Sequence, residues 1–231
     1  MPSRRLIWLC VLLGALIVGW LGWRSFSLRQ DPAQTPGATI NKEPATIAKR
    51  TFDPASSPLE MPPLSPGEDA ECDSNFLSNA GVSGQTRQTD ATHATVTITQ
   101  IKVNLQLNVT IWIPRDVTQR VIDHEEGHRQ ISEFYYQTAD KLAERIAAPY
   151  IGKQVEISGA NLDAESSKLL REVGTDITDE YNKELNPEPT QLLYDSITDH
   201  SRNGVIAADA VSHALKNVAI ELPQPPAIPG N

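Results

Sequence analysis

From Val96 to Ile113 apolar and polar side chains alternate along the chain almost without a break. Val96 and Ile98 hold even positions. After Thr99 and Gln100 the phase flips, and Ile101, Val103, Leu105, Leu107, Val109, Ile111 and Ile113 are all odd. Lys102, Asn104, Gln106, Asn108 and Thr110 stand between them. A period of two marks a sheet with one buried face. The phase change predicts a bulge or tight turn near Gln100. The length of the run predicts a further break into a hairpin, at Asn104 or Asn108. Pro114, with no N–H for a ladder, ends it.

The spacing then changes to threes and fours. Val117, Val121, His124, His128, Ile131, Tyr135, Leu142 and Ile146 form one stripe, with a step of seven at Thr138 or Ala139. This predicts a helix of about 30 residues with Asp116 as N-cap and Pro149 near its end. A short strand over 154–158 and helices over 162–185, 190–200 and 205–218 complete the pattern. Strands first and helices after predict an α+β domain, its N-terminal antiparallel or mixed sheet packed on the first helix.

The two ends differ from this middle. Leu6 to Trp23 is unbroken apolar sequence, preceded by Arg4 and Arg5 and followed by Arg24 and Arg29. At 1.5 Å per residue it spans about 27 Å, close to the hydrocarbon thickness of a bilayer. Trp20 and Trp23 suit a membrane interface better than a cleavage site. The expectation is a retained single-pass anchor over residues 1–24, in a cell inner membrane, with the bulk of the chain periplasmic. Secretion after cleavage is the alternative. Eight of the 17 prolines lie between Pro32 and Pro66, and others crowd the end from Pro223 to Pro229. These predict a spacer over 25–69, a packed domain over 70–220 and a tail over 221–231.

A net charge of −9 without a basic stripe excludes a nucleic-acid backbone as partner. The two cysteines, Cys10 in the apolar run and Cys72 at the start of the domain, are too differently placed to pair. Cys72 is read as a free or buried thiol, with an inhibitory thiolate at a metal site as the sharper alternative.

The chemistry concentrates in His124-Glu125-Glu126-Gly127-His128, an H-E-x-x-H sequence on the predicted helix. Residues four apart share a helix face, so both imidazoles can converge on one metal ion. Glu125 is turned by about 100°, beside the metal rather than on it, where it can take a proton from water. Both histidines lie in the apolar stripe, where unpartnered imidazoles would be costly to bury. Gly127 inside a helix costs about 1 kcal/mol against alanine and points to close approach of another element.

A catalytic zinc needs a third protein ligand. Ile131 and Phe134 exclude the metzincin extension, and both methionines lie upstream of the helix, so no Met-turn follows it. His200, in Tyr194-Asp195-Ser196-Ile197-Thr198-Asp199-His200, is one candidate; Glu172, Asp176 and Asp179 are others. His93 falls on a polar loop, and His213 reads as ordinary helix packing.

The His-Glu-Glu-Gly-His sequence followed by Ile131, with the distal Tyr-Asp-x-x-Thr-x-His, resembles a bacterial family of secreted zinc-dependent proteases. That family was first catalogued as a domain of unknown function and is grouped with the zincin-like peptidases. The resemblance covers about residues 70 to 210. It implies a zincin-like fold, zinc on His124, His128 and His200, Glu125 as base, and Tyr194, Asp195 and Thr198 in support. Ser201 departs from it, standing where the family usually has glycine. It further implies a peptide or protein substrate, laid by strand addition along the segment ending at Ile113.

Overall fold

The computed structural model describes residues 36–64 and 66–221, and the side chains among them as far as Asn217. The expected anchor and the tail after 221 lie outside these residues. Among those described, no helix is long and apolar enough to cross a membrane.

The centre of the fold is one long strand. β4 (His93–Pro114) runs unbroken for 22 residues, and the other strands pair with it. β3 (Glu71–Gln88) lies antiparallel along almost its whole length. β1 (Gly37–Lys42) and β2 (Thr46–Phe52) pair with it in parallel, over Gln100–Leu105 and Asn108–Pro114. β5 (Gln154–Ser158) pairs antiparallel with His93–Thr97. A strand has only two edges, and β3 fills one of them. β5, β1 and β2 therefore follow one another along the second, giving a mixed sheet three strands wide.

The period-two pattern holds. From Ile101 to Ile111 the odd side chains of β4 are no more than 1% exposed. The phase flip is a bulge: Ser83 pairs with Gln100 and Gly84 with Ile98, leaving Thr99 as the extra residue. No hairpin forms at Asn104 or Asn108. Both side chains point to the uncovered face of the sheet, where Asn104 accepts a hydrogen bond from Asn41 at 3.0 Å, so nothing forces the strand to turn.

Two of these strands lie in the segment expected to be a spacer. Residues 37–52 belong to the same compact unit as the rest of the described chain. That corrects the boundary at residue 70. Their apolar residues are few, and the described prolines of this stretch, from Pro36 to Pro66, fall outside the strands rather than within them.

Among the described residues there are five α-helices; the first three pack against the sheet, and the last two pack on the first and on each other. The predicted long helix is divided into α1 (Gln119–Gln137) and α2 (Ala139–Ala147), parted at Thr138 where the periodicity slips. Asp116 is not the N-cap. It takes a left-handed φ of 63° in the turn after β4, and Thr118 holds the cap position. α3 (Leu162–Glu184), α4 (Glu188–Thr198) and α5 (Ala207–Glu221) follow close to their predicted spans.

The main core lies between the sheet and α2 and α3, and a second cluster joins Ile131 of α1 and Tyr194 of α4 to Ala210, Val211 and Ala214 of α5. α3 also covers part of the outer edge of β3. The Ala80 N–H donates to Thr178 Oγ1 at 3.2 Å, and a Cβ on Gly174 would sit 2.5 Å from the Ala80 carbonyl oxygen. Both Ala80 backbone groups thus point away from β4.

Candidate metal centre

His124 and His128 sit one turn apart on α1, and their Nε2 atoms converge to 3.1 Å. What aims them is visible on the far side of each ring. Thr198 Oγ1 lies 3.2 Å from His124 Nδ1 and 2.8 Å from the Tyr194 carbonyl. Its single proton goes to the carbonyl, so the hydroxyl accepts from Nδ1–H. Gln191 Oε1 accepts from His128 Nδ1–H at 2.6 Å, while its Nε2 donates to the His128 carbonyl and to Ser132 Oγ. With both Nδ1 atoms pinned as donors, both Nε2 lone pairs face the same point.

Two carboxylates reach that point. Asp195 Oδ1 is 2.8 Å from His128 Nε2 and 3.4 Å from His124 Nε2. Glu68 Oε2 is 3.7 Å from His124 Nε2. One donor atom from each of Glu68, His124, His128 and Asp195 falls within 4.8 Å of all the others. Asp195 Oδ1 is buried and, for all its nearness to the imidazoles, has no donor aligned on it. Buried polar atoms are rarely left so, and a cation between them would satisfy all four groups at once. The group can hold a metal ion.

This differs from expectation in two places. Asp195, expected behind the ligands, is one of the four donors. His200 is not among them; its Nδ1 is bonded to Glu68 Oε1, on the rim of the same cavity. The rivals take no part: Glu172, Asp176 and Asp179 are exposed on α3. Glu68 had no signal in the sequence, being one of four acids, with Asp69, Glu71 and Asp73, that follow a proline-rich stretch.

Tyr194 explains the glycine. Its ring stacks on His124 at 5.0 Å and meets His128 edge-on at 4.9 Å, and its hydroxyl donates to the His124 carbonyl. A Cβ on Gly127 would overlap that hydroxyl and ring. Gly127→Ala is expected to destabilise the fold by about 1–3 kcal/mol and weaken metal binding, because Tyr194 must move. Urea unfolding and a metal titration check both effects.

Glu125 is 2% exposed, and its Oε1 has no hydrogen-bond partner. Burial pushes its carboxyl up to about 7, against the pull of His128 and His124. Burial alone would lower His124, but Asp195 and Glu68 outweigh it and raise the imidazole to about 9. The same contest ends with Asp195 held at about 2. Without metal the site therefore holds protons on nitrogens that a cation needs. Below a pH of about 9 metal binding must displace at least the His124 proton. Apparent affinity should then rise at least tenfold per pH unit between pH 6 and 8. Chelator competition at three pH values measures this, and a flat profile would mean the imidazoles are already neutral.

Around these residues lies a cavity of about 490 Å³, lined among others by Cys72, Ser74 and Phe76 of β3, Glu125, and Leu192 of α4. Cys72 faces it with a thiol whose pKa burial drives up, so it stands as a neutral thiol. His93 and His213 are exposed and are not among the four donors.

The turn after α4 is strained. Asp199, His200 and Ser201 have φ of 46°, 51° and 65°, a left-handed run that non-glycine residues rarely adopt. Ser201→Gly is expected to stabilise the protein by about 0.5–1 kcal/mol, read as a raised urea midpoint.

No protein-family model, curated protein or solved structure matches the chain.

Proposed function

We propose that the chain is a zinc-dependent peptide hydrolase of the zincin type, anchored to the inner membrane through residues 6–23 with its catalytic domain outside the cytoplasm. The observation that carries the zinc is the spacing of the donors. Four ligands about 2.05 Å from a tetrahedral centre lie roughly 3.3 Å from one another. Four of the six separations run from 2.8 to 3.7 Å, and all six lie within 4.8 Å. Two imidazoles and two carboxylates also suit zinc better than calcium or magnesium, which prefer oxygen alone.

Zinc bound there supplies a Lewis acid that acidifies water and polarises a carbonyl oxygen. Glu125 supplies the proton traffic. It takes a proton from the attacking water and returns it to the leaving amine, and its buried carboxyl lines the cavity beside the donors, where both transfers occur. Asp195 and the two histidines hold the metal, and Tyr194, Thr198 and Gln191 fix their orientation.

β4 cannot take the substrate strand, since both its edges are paired. The outer edge of β3 can. Cys72, Ser74 and Phe76 share the parity of Ala80, so their backbone groups also point away from β4, here towards the cavity. An extended peptide lying there would pass beside Glu125.

The decisive experiment measures metal content and peptide-library hydrolysis on the purified protein. Stoichiometric zinc with metal-dependent cleavage supports the proposal. Zinc without cleavage favours a second reading, a closed structural site in an envelope module, which four protein donors would also suit. Buried Glu125, with its Oε1 free of hydrogen bonds, argues against that reading, because a structural site needs no base.

A further inference from the structure

A catalytic zinc keeps one position open for water, yet four protein donors converge here. Three of them are fixed by the fold. His124 and His128 ride on α1 with their Nδ1 atoms pinned, and Asp195 rides on α4 next to Tyr194, which is wedged between the two helices. Glu68 is different. It comes from residues 66–70, which form no helix or strand, and it stands farthest from its imidazole neighbour, at 3.7 Å.

Its two oxygens have separate partners. Oε2 faces His124, and Oε1 is bonded to His200 Nδ1. The strained turn that carries His200 also carries Arg202, whose guanidinium lies against Gly67, itself at a φ of 92°. Backbone strain of this kind costs about 1–3 kcal/mol per residue and persists where the surroundings demand it. What the turn secures here is a grip on Glu68 from outside the donor set.

Building on the zinc-hydrolase reading, we propose that Glu68 is a displaceable fourth ligand that closes the metal site at rest, and that His200 is the hook that holds it when the site opens. In the closed state the carboxylate bridges metal and His200. In the open state it keeps only His200, and the vacated position, on the cavity side beside Glu125, admits water or a substrate carbonyl. The two residues then act in opposite directions. Removing Glu68 favours the open site, and removing His200 favours the closed one.

The test uses the full-length protein loaded with cobalt(II), whose visible spectrum reports coordination, titrated with azide. Glu68→Gln should bind azide at least tenfold more tightly than wild type, since no closed state competes. Its cobalt affinity should fall by no more than about 100-fold. His200→Gln should keep cobalt and bind azide more weakly than wild type. A merely structural role would shift neither azide affinity, nor shift them in opposite directions. Unchanged azide binding in Glu68→Gln overturns the proposal while leaving the metal site intact. So does a His200→Gln protein that loses cobalt as fully as His128→Ala, because His200 would then be a ligand itself. If wild type takes up no cobalt or zinc, the hydrolase reading fails and the gate falls with it.

Discussion

Glu125→Gln is expected to retain stoichiometric zinc and to lose peptide hydrolysis by about 10²–10⁴-fold. The substitution keeps the shape of the side chain and removes its ability to carry a proton. None of the four donors comes from Glu125, so the metal has no reason to leave. Oε1 has no hydrogen-bond partner in the fold, so an amide there breaks no existing bond. Metal analysis and turnover on one verified substrate decide the matter. Wild-type turnover in this variant would remove Glu125 from the mechanism and with it the zincin reading.

The second large effect concerns Asp195. Asp195→Ala should weaken zinc binding by more than about 100-fold, beyond what loss of an outer hydrogen-bond partner causes. Thr198→Val is the matched control. It removes the acceptor on His124 Nδ1 but leaves the donors in place, and about 10–100-fold is expected. Chelator competition ranks the three proteins. If Asp195→Ala bound zinc as well as Thr198→Val does, Asp195 would be an orienting residue and a different donor would complete the site.

Much of this was legible because the signals were local. Alternation over Val96–Ile113 needs only one sheet face against a core, and the Thr99 bulge shows in the phase of the pattern itself. Gly127 announced a close neighbour, though only the fold could name Tyr194. His124, His128 and Glu125 were readable because one helix turn sets their geometry. Asp195 and Glu68 were not, since their place in the donor set depends on how α4 and the residues before β3 approach α1. The choice between Asp195 and His200 hangs on the left-handed turn at Asp199–Ser201, which swings His200 onto Glu68. β1 and β2 escaped notice because each is short and half exposed, and each borrows its order from β4.

Those two strands have a practical consequence for anyone choosing where to cut the gene. Lys42 of β1 donates to the Gln137 carbonyl at 2.8 Å and ion-pairs with Asp140, and Lys49 of β2 is paired with Glu126 beside the metal histidines. A recombinant fragment starting at residue 70, the boundary that proline content suggests, would lack both clamps on the metal helix and Glu68 as well. It would also lay bare the β4 edge from Gln100 to Pro114, a ready template for pairing with another copy. Such a fragment should be recovered as aggregate, and its lack of activity would say nothing about the full-length protein. Cutting before Pro36 keeps the edge covered and the site whole.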